Sequence, residues 1–213
     1  MASGKIFCIG FHKTGTKSLG AALRILGYSV CGPIGTRDSD IASKAHQLAF
    51  SYTDKFDAFQ DNPWPLLYKD LDRSYPGSKF ILTIRPMESW IKSAVNHFGT
   101  EDTPMRKWIY TVGHPAGNEL LYMNRHLSHI VDVLLYFKNR PDDLLVLNIT
   151  SGEGWEKLCP FLNKPIPLIP FLNVNKGEYR GTPHSLEERH VSGTSSRDNK
   201  RTVKITPISN RRL

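Results

Sequence analysis

The chain is poor in cysteine. Three in 213 residues (Cys8, Cys31 and Cys159) are odd in number and widely spaced, which excludes a disulfide framework and offers no zinc pattern. Long apolar runs are also missing. No stretch approaches the ~20 residues that a membrane-spanning helix needs. The apolar run after Lys5 stops at Gly10, too short for the core of a signal peptide. With these signals absent, the expectation is a cytoplasmic protein with no membrane span. Gly and Pro are not abundant enough for a collagen-like or disordered chain. The length suits one α/β domain and would cramp two.

The charge is basic. Against 28 Lys and Arg stand 20 Asp and Glu, a net of +8. That balance favours anionic partners without choosing among them. It is also uneven: residues from Lys176 onward carry +5 and the rest only +3. Beyond Pro183 the chain is polar and non-periodic, and so reads as a tail that is mobile or loosely docked. The expected division is an α/β domain over 1–180 and a basic tail over 181–213.

Hydrophobic periodicity gives alternating strands and helices. Strands are expected at Lys5–Gly10, Tyr28–Cys31, Phe56–Gln60, Lys79–Arg85 and Leu144–Ile149. A first helix carries Leu19, Ala22, Leu23 and Leu26 on one face and stops at Gly27. Further helices are expected at Ile41–Tyr52, Leu66–Ser74, Glu88–Phe98, Ala116–Asn139 and Gly154–Leu162. The long one has a pattern running through Leu120, Met123, Leu127, Ile130, Val131, Leu134 and Leu135. Such alternation implies a mainly parallel sheet covered by helices on both faces, a three-layer α/β/α fold.

Gly10-Phe-His-Lys-Thr-Gly-Thr-Lys-Ser18 lies between the first strand and the first helix. Free amides and the dipole at a helix start favour a phosphate or sulfate. Gly15 lets the backbone curl closely round an anion, Thr16 and Ser18 offer hydroxyls, and Lys13 and Lys17 offer charge. The triphosphatase pattern G-x-x-x-x-G-K-[ST] is narrowly missed, because Thr16 stands in the lysine position and Lys17-Ser18 comes one residue late. An ordinary glycine-containing turn is the plainer alternative.

Lys13-Thr-Gly-Thr-Lys-Ser-Leu19 resembles the 5′-phosphosulfate loop of the sulfotransferases, with Lys17 in place of a second threonine. The resemblance implies the core fold of the nucleotide-loop kinases and 3′-phosphoadenosine 5′-phosphosulfate as sulfuryl donor, with no metal required. Lys13, Thr14, Gly15, Thr16, Lys17 and Ser18 would bind the 5′ end. Lys13 would also stabilise the leaving oxygen. The family further implies an Arg at a later strand end, with a Ser eight residues on, holding the 3′-phosphate. Arg85 and Ser93 have that spacing. The Asp that commonly follows the arginine is replaced by Pro86. An Asp61-Asn-Pro-Trp-Pro65 segment and Glu88-Ser-Trp90 resemble a short subgroup of the family, and the likeness extends from about Lys5 to about Asn175.

For the base that takes the acceptor proton, Asp61 is favoured over His12, His97 and His114. Asp61 equally suits a helix N-cap before Trp64. Trp64, Trp90 and Trp108 suit either the core or an acceptor pocket. Lys176–Gly181 suits either a loop closing over the donor or a solvated basic turn. The function expected is sulfuryl transfer to a small hydroxylated or amine acceptor. A kinase with an altered phosphate loop and a non-catalytic binding module are the alternatives. The tail has few aromatics to stack bases, so nucleic acid is not an expected partner.

Overall fold

The structure, a computed structural model, describes residues Gly4–Leu172. The tail from 181 and the Lys176–Gly181 segment lie outside the described residues.

Five strands form one all-parallel sheet: β1 (Ile6–Cys8), β2 (Val30–Cys31), β3 (Ala58–Gln60), β4 (Lys79–Thr83) and β5 (Leu144–Leu147), in the order β2-β3-β1-β4-β5. In register, Cys8 stands beside Gln60 on one side and Ile81 on the other. Strand alternation divides the core. Ile6 and Cys8 face α1 (Thr16–Ile25) and α7 (Trp155–Phe161), meeting Leu19, Leu23 and Leu158. Phe7 and Ile9 face the other way, toward α3 (Tyr68–Ser74) and α6 (Glu119–Phe137). Continuous apolar strands of this kind belong to a sheet buried on both faces. The fold class read from the sequence is therefore the observed one.

A third cluster joins Phe11 to α2 (Ile41–Thr53), α4 (Met87–Phe98), α5 (Pro104–Tyr110) and α6. Helix α5 was not expected. Its start carries a readable signal: Thr103 accepts a hydrogen bond from the Arg106 amide and Pro104 occupies the first turn. Only seven residues long, it shows too little periodicity to stand out.

Other boundaries differ in detail. The expected Leu66–Ser74 helix is a 3₁₀ turn at Trp64–Leu66 followed by α3. Strand β4 closes at Thr83, so Arg85 lies in the loop beyond it. Ile149 belongs to a 3₁₀ turn and not to β5.

Helix α6 departs most. It buries Tyr122, His126, His129, Val133 and Phe137, while Leu120, Leu127, Val131, Leu134 and Leu135 are exposed. The aliphatic stripe that announces the helix is not the face that packs on the sheet. The inward face uses rings instead. His129 stacks on Phe11 at 4.2 Å between centroids, and His126 on Trp90 at 4.0 Å.

These imidazoles are held neutral by burial. His126 is pushed down to about 3, with neither ring nitrogen bonded to a partner among the described residues. His129 is pushed down to about 4, its Nε2 donating to the Ile9 carbonyl at 2.7 Å. Both values lie below the ordinary 6.5 of an unfolded histidine, so the unfolded chain takes up protons first as pH falls. Stability is then present above pH 6.5 and lost progressively toward pH 4, at up to about 1.4 kcal/mol per pH unit for each imidazole. Melting temperatures measured across this range should fall steadily, and His126→Phe should flatten the slope. An unchanged slope in that variant would contradict the assignment.

Candidate active site

The carboxyl ends of β1, β3 and β4 meet at one edge of the sheet, where open α/β sheets place their ligands. The loop after β1 passes close over β4. A Cβ on Gly10 would come within 2.5 Å of the Thr83 carbonyl oxygen, so only glycine fits there. Lys13 (φ 66°) and Gly15 (φ 102°) are both left-handed and curl the chain into the start of α1. At that start the first amides have no carbonyl partner within the helix, and the dipole adds positive charge.

Thr14 uses its side chain within the fold. Its hydroxyl donates to the Phe11 carbonyl at 2.5 Å and shares a hydrogen bond with Thr83 Oγ1 at 2.6 Å. The side chain pins the loop to β4, leaving only the backbone for a ligand. Thr16 donates its hydroxyl to Asp61 Oδ2 at 3.1 Å. Ser18 is buried on α1, and Lys17 is exposed at the rim.

Arg85 comes to this loop from the end of β4. Its Nε donates to Ser89 Oγ at 3.1 Å and its Nη1 to the Lys13 carbonyl at 3.3 Å. The two sequence motifs, 72 residues apart, are thus in direct contact. Beside them opens a cleft of about 430 Å³, walled by Lys13, Arg85 and one polar stripe of α4: Ser89, Lys92, Ser93, Asn96 and His97. Of that stripe the sequence singles out Ser93, for the 3′-phosphate, and His97, as a candidate base. The helical spacing of the others was visible, opposite the buried Trp90, Ile91 and Ala94.

A second cavity, of about 270 Å³, adjoins the first, and Lys13 and His97 line both. Its floor is the loop at Gly15, Thr16 and Lys17. Asp61 and Asn62 close it after β3, Pro33 and Thr36 after β2. Phe98, Met105 and Arg106 also line it.

Electrostatics single out two groups. The Lys13 ammonium is held below its ordinary value, first by burial, then by repulsion from Lys17 and Arg85. Three cations crowd where an anion would relieve them. The Asp61 carboxyl is pushed up by burial, against the Asn62 amide, the Thr16 hydroxyl and the two lysines. Asp61 does not cap the turn before Trp64; its oxygens face Thr16 and its neighbour's amide.

The histidines separate by position. His12 is buried and neutral, pushed down to about 3. Its Nδ1 meets the Asn62 amide at 3.2 Å and its Nε2 the Tyr110 hydroxyl at 3.1 Å, so both ring nitrogens are engaged. His97 lies between the cavities and is held below its ordinary value by burial and by Lys13, Lys17 and Arg106. His114 lines neither cavity; its Nδ1 is 2.6 Å from Asp102. Trp64 and Trp90 are fully buried, donating to the Gly32 and His12 carbonyls at 3.1 and 2.9 Å, and so belong to the core. Trp108 packs against the third cluster.

Among the described residues no three His, Cys, Asp or Glu side chains gather as a metal site, and no helix is long and apolar enough to cross a membrane.

The arrangement defines an α/β protein with a strand-to-helix loop, rich in Lys and Thr, opening onto two joined cavities. The sulfotransferase domain model matches residues 5–140 and 116–179, which is most of the chain. The protein belongs to the sulfotransferase family. It is also similar to "Ava biosynthesis cluster protein M" of Aspergillus versicolor, 25% identical over 219 residues that cover 80% of each chain.

Proposed function

We propose that the protein transfers a sulfuryl group from 3′-phosphoadenosine 5′-phosphosulfate to a hydroxyl or amine of a small acceptor. The carrying observation is the contact between Arg85 and the backbone of Lys13. It sets the loop and the α4 cleft side by side, which supports a single nucleotide reaching both.

In this reading Arg85 and Ser93 hold the 3′-phosphate, and Arg supplies a planar fork suited to it. Lys13, Lys17, Thr16, Ser18 and the amides of Thr14 and Gly15 hold the phosphosulfate. The acceptor oxygen bonds to sulfur while the bond from sulfur to the 5′-phosphate oxygen breaks. Lys13 stabilises the charge that grows on that oxygen, and Asp61 takes the acceptor proton. The small second cavity and a relative named for a biosynthesis cluster both favour a small-molecule acceptor.

Thermal-shift titration tests the reading. Adenosine 3′,5′-bisphosphate should raise the melting temperature, whereas ATP–Mg and GTP–Mg should not. Stabilisation by ATP–Mg alone would favour a kinase. Asp61→Asn should lower turnover by about 10²–10⁴-fold while keeping the affinity for the bisphosphate. The raised carboxyl also sets the acidic limb of the wild-type rate profile. Activity should climb through an apparent pKa above the usual 3.8 of an aspartate. The variant should lose this limb.

A further inference from the structure

The second cavity contains a cation that has no counter-ion among the described residues. Arg106 is only 4% exposed. Its Nε donates to the Gly113 carbonyl at 2.8 Å, Nη2 to the Glu101 carbonyl, and the group also reaches the Tyr122 phenol. The guanidinium lies over the Phe98 ring, 4.4 Å from its centroid. All these partners are neutral. The two nearby carboxylates are engaged elsewhere: Glu101 with Arg37 and Asp102 with His114, each at 2.6 Å. Among the described residues none of the ion pairs involves Arg106. A buried charge is normally paired, because taking it out of water is costly. Its field is felt inside the cavity, where it helps keep His12 and His97 neutral.

A second group there is also unmet. Asn62 is 4% exposed and lines the same cavity. Its Nδ2 bonds His12, and its Oδ1 has no hydrogen-bond partner among the described residues. An orphaned buried acceptor is costly, unless a ligand supplies a donor.

Lys13 and Lys17 belong to the loop itself, so a sulfuryl group held there has its own cations, and Arg106, on α5, is left for another anion. We propose that the acceptor is a small hydroxylated organic anion. Its carboxylate pairs with Arg106, and its hydroxyl, donating to Asn62 Oδ1 on approach, passes its proton to Asp61 as the new oxygen–sulfur bond forms and the bond from sulfur to the 5′-phosphate oxygen breaks, releasing adenosine 3′,5′-bisphosphate. Phe98 and Met105 flank the carbon skeleton. This rests on the sulfotransferase reading and narrows its acceptor class.

The test compares matched acceptors with labelled donor. Para-hydroxyphenylacetate and meta-hydroxybenzoate are each set against their own carboxamide, with para-hydroxybenzylphosphonate as a phosphate-like arm. Wild-type enzyme should favour each acid over its amide by about 10- to 100-fold in kcat/KM, the range for a charge-assisted hydrogen bond. Arg106→Lys should keep part of that ratio, and Arg106→Gln should reduce it toward one. Arg106 also ties two loops, so these variants are compared only where they melt cooperatively; Asn62→Ala, which leaves those ties intact, should lower kcat/KM for every hydroxyl acceptor. Calorimetric binding of each pair to the enzyme–bisphosphate complex gives a readout that needs no turnover. Amides bound or turned over as well as acids overturn the proposal, as does a panel in which no acid binds. A preference for the phosphonate over both acids overturns the carboxylate assignment. Bisphosphate affinity, measured in the same samples, separates the failures. If it is intact, only the acceptor class is wrong; if it is absent, the parent reading falls as well.

Discussion

Lys13→Ala is expected to lower turnover by about 10²–10³-fold, the loss found when one preorganised stabiliser of a developing oxyanion is removed. The expectation follows from its position on both cavities, between the cleft beside Arg85 and the chamber holding Asp61. Its amine is crowded by Lys17 and Arg85 and makes no ion pair among the described residues. Removing it relieves repulsion in the free enzyme, so the variant should melt no lower than wild type. A loss of rate with undiminished stability distinguishes a group placed for chemistry from one placed for folding. Near-normal turnover would remove Lys13 from the mechanism.

Arg85→Ala is expected to weaken binding of adenosine 3′,5′-bisphosphate by about 10- to 100-fold, the worth of a charge-assisted hydrogen bond to phosphate. Part of that loss would come through the loop. The Nη1 bond to the Lys13 carbonyl supports a lysine at φ 66°, a region unfavourable for a side chain bearing a Cβ. The rate at saturating donor should fall less than the affinity, because Arg85 grips the end remote from the reacting sulfur. Titration calorimetry with the bisphosphate separates the two effects. An unaltered affinity would mean that the cleft does not hold this phosphate.

The sheet was legible because its strands are short, apolar and bounded by glycine, proline or charge. Gly10 ends one, and Asp61 follows another. The loop was legible as a cluster of Gly, Lys and Thr at one junction. The direction of the Thr14 hydroxyl was not, since it is set by Thr83, 69 residues away. Local pattern carries no record of such a partner. The face of α6 was misleading for a related reason. His126 and His129 read as polar, yet they stack on Trp90 and Phe11 and turn the aliphatic stripe outward. Ser89, Lys92 and Asn96 could have been found by extending the helical period from Ser93. Arg106 could not. A single arginine in a seven-residue helix has no periodic signal, and its burial arises from loops at Glu101 and Gly113 that only the fold brings together.

The decisive measurement is a binding cycle. Adenosine 3′,5′-bisphosphate and adenosine 5′-monophosphate are titrated into wild type and Arg85→Ala. If one nucleoside spans both cavities, deleting the 3′-phosphate weakens binding to wild type strongly and to the variant hardly at all. An equal penalty in both proteins would show that the arginine and the loop do not grip the same ligand.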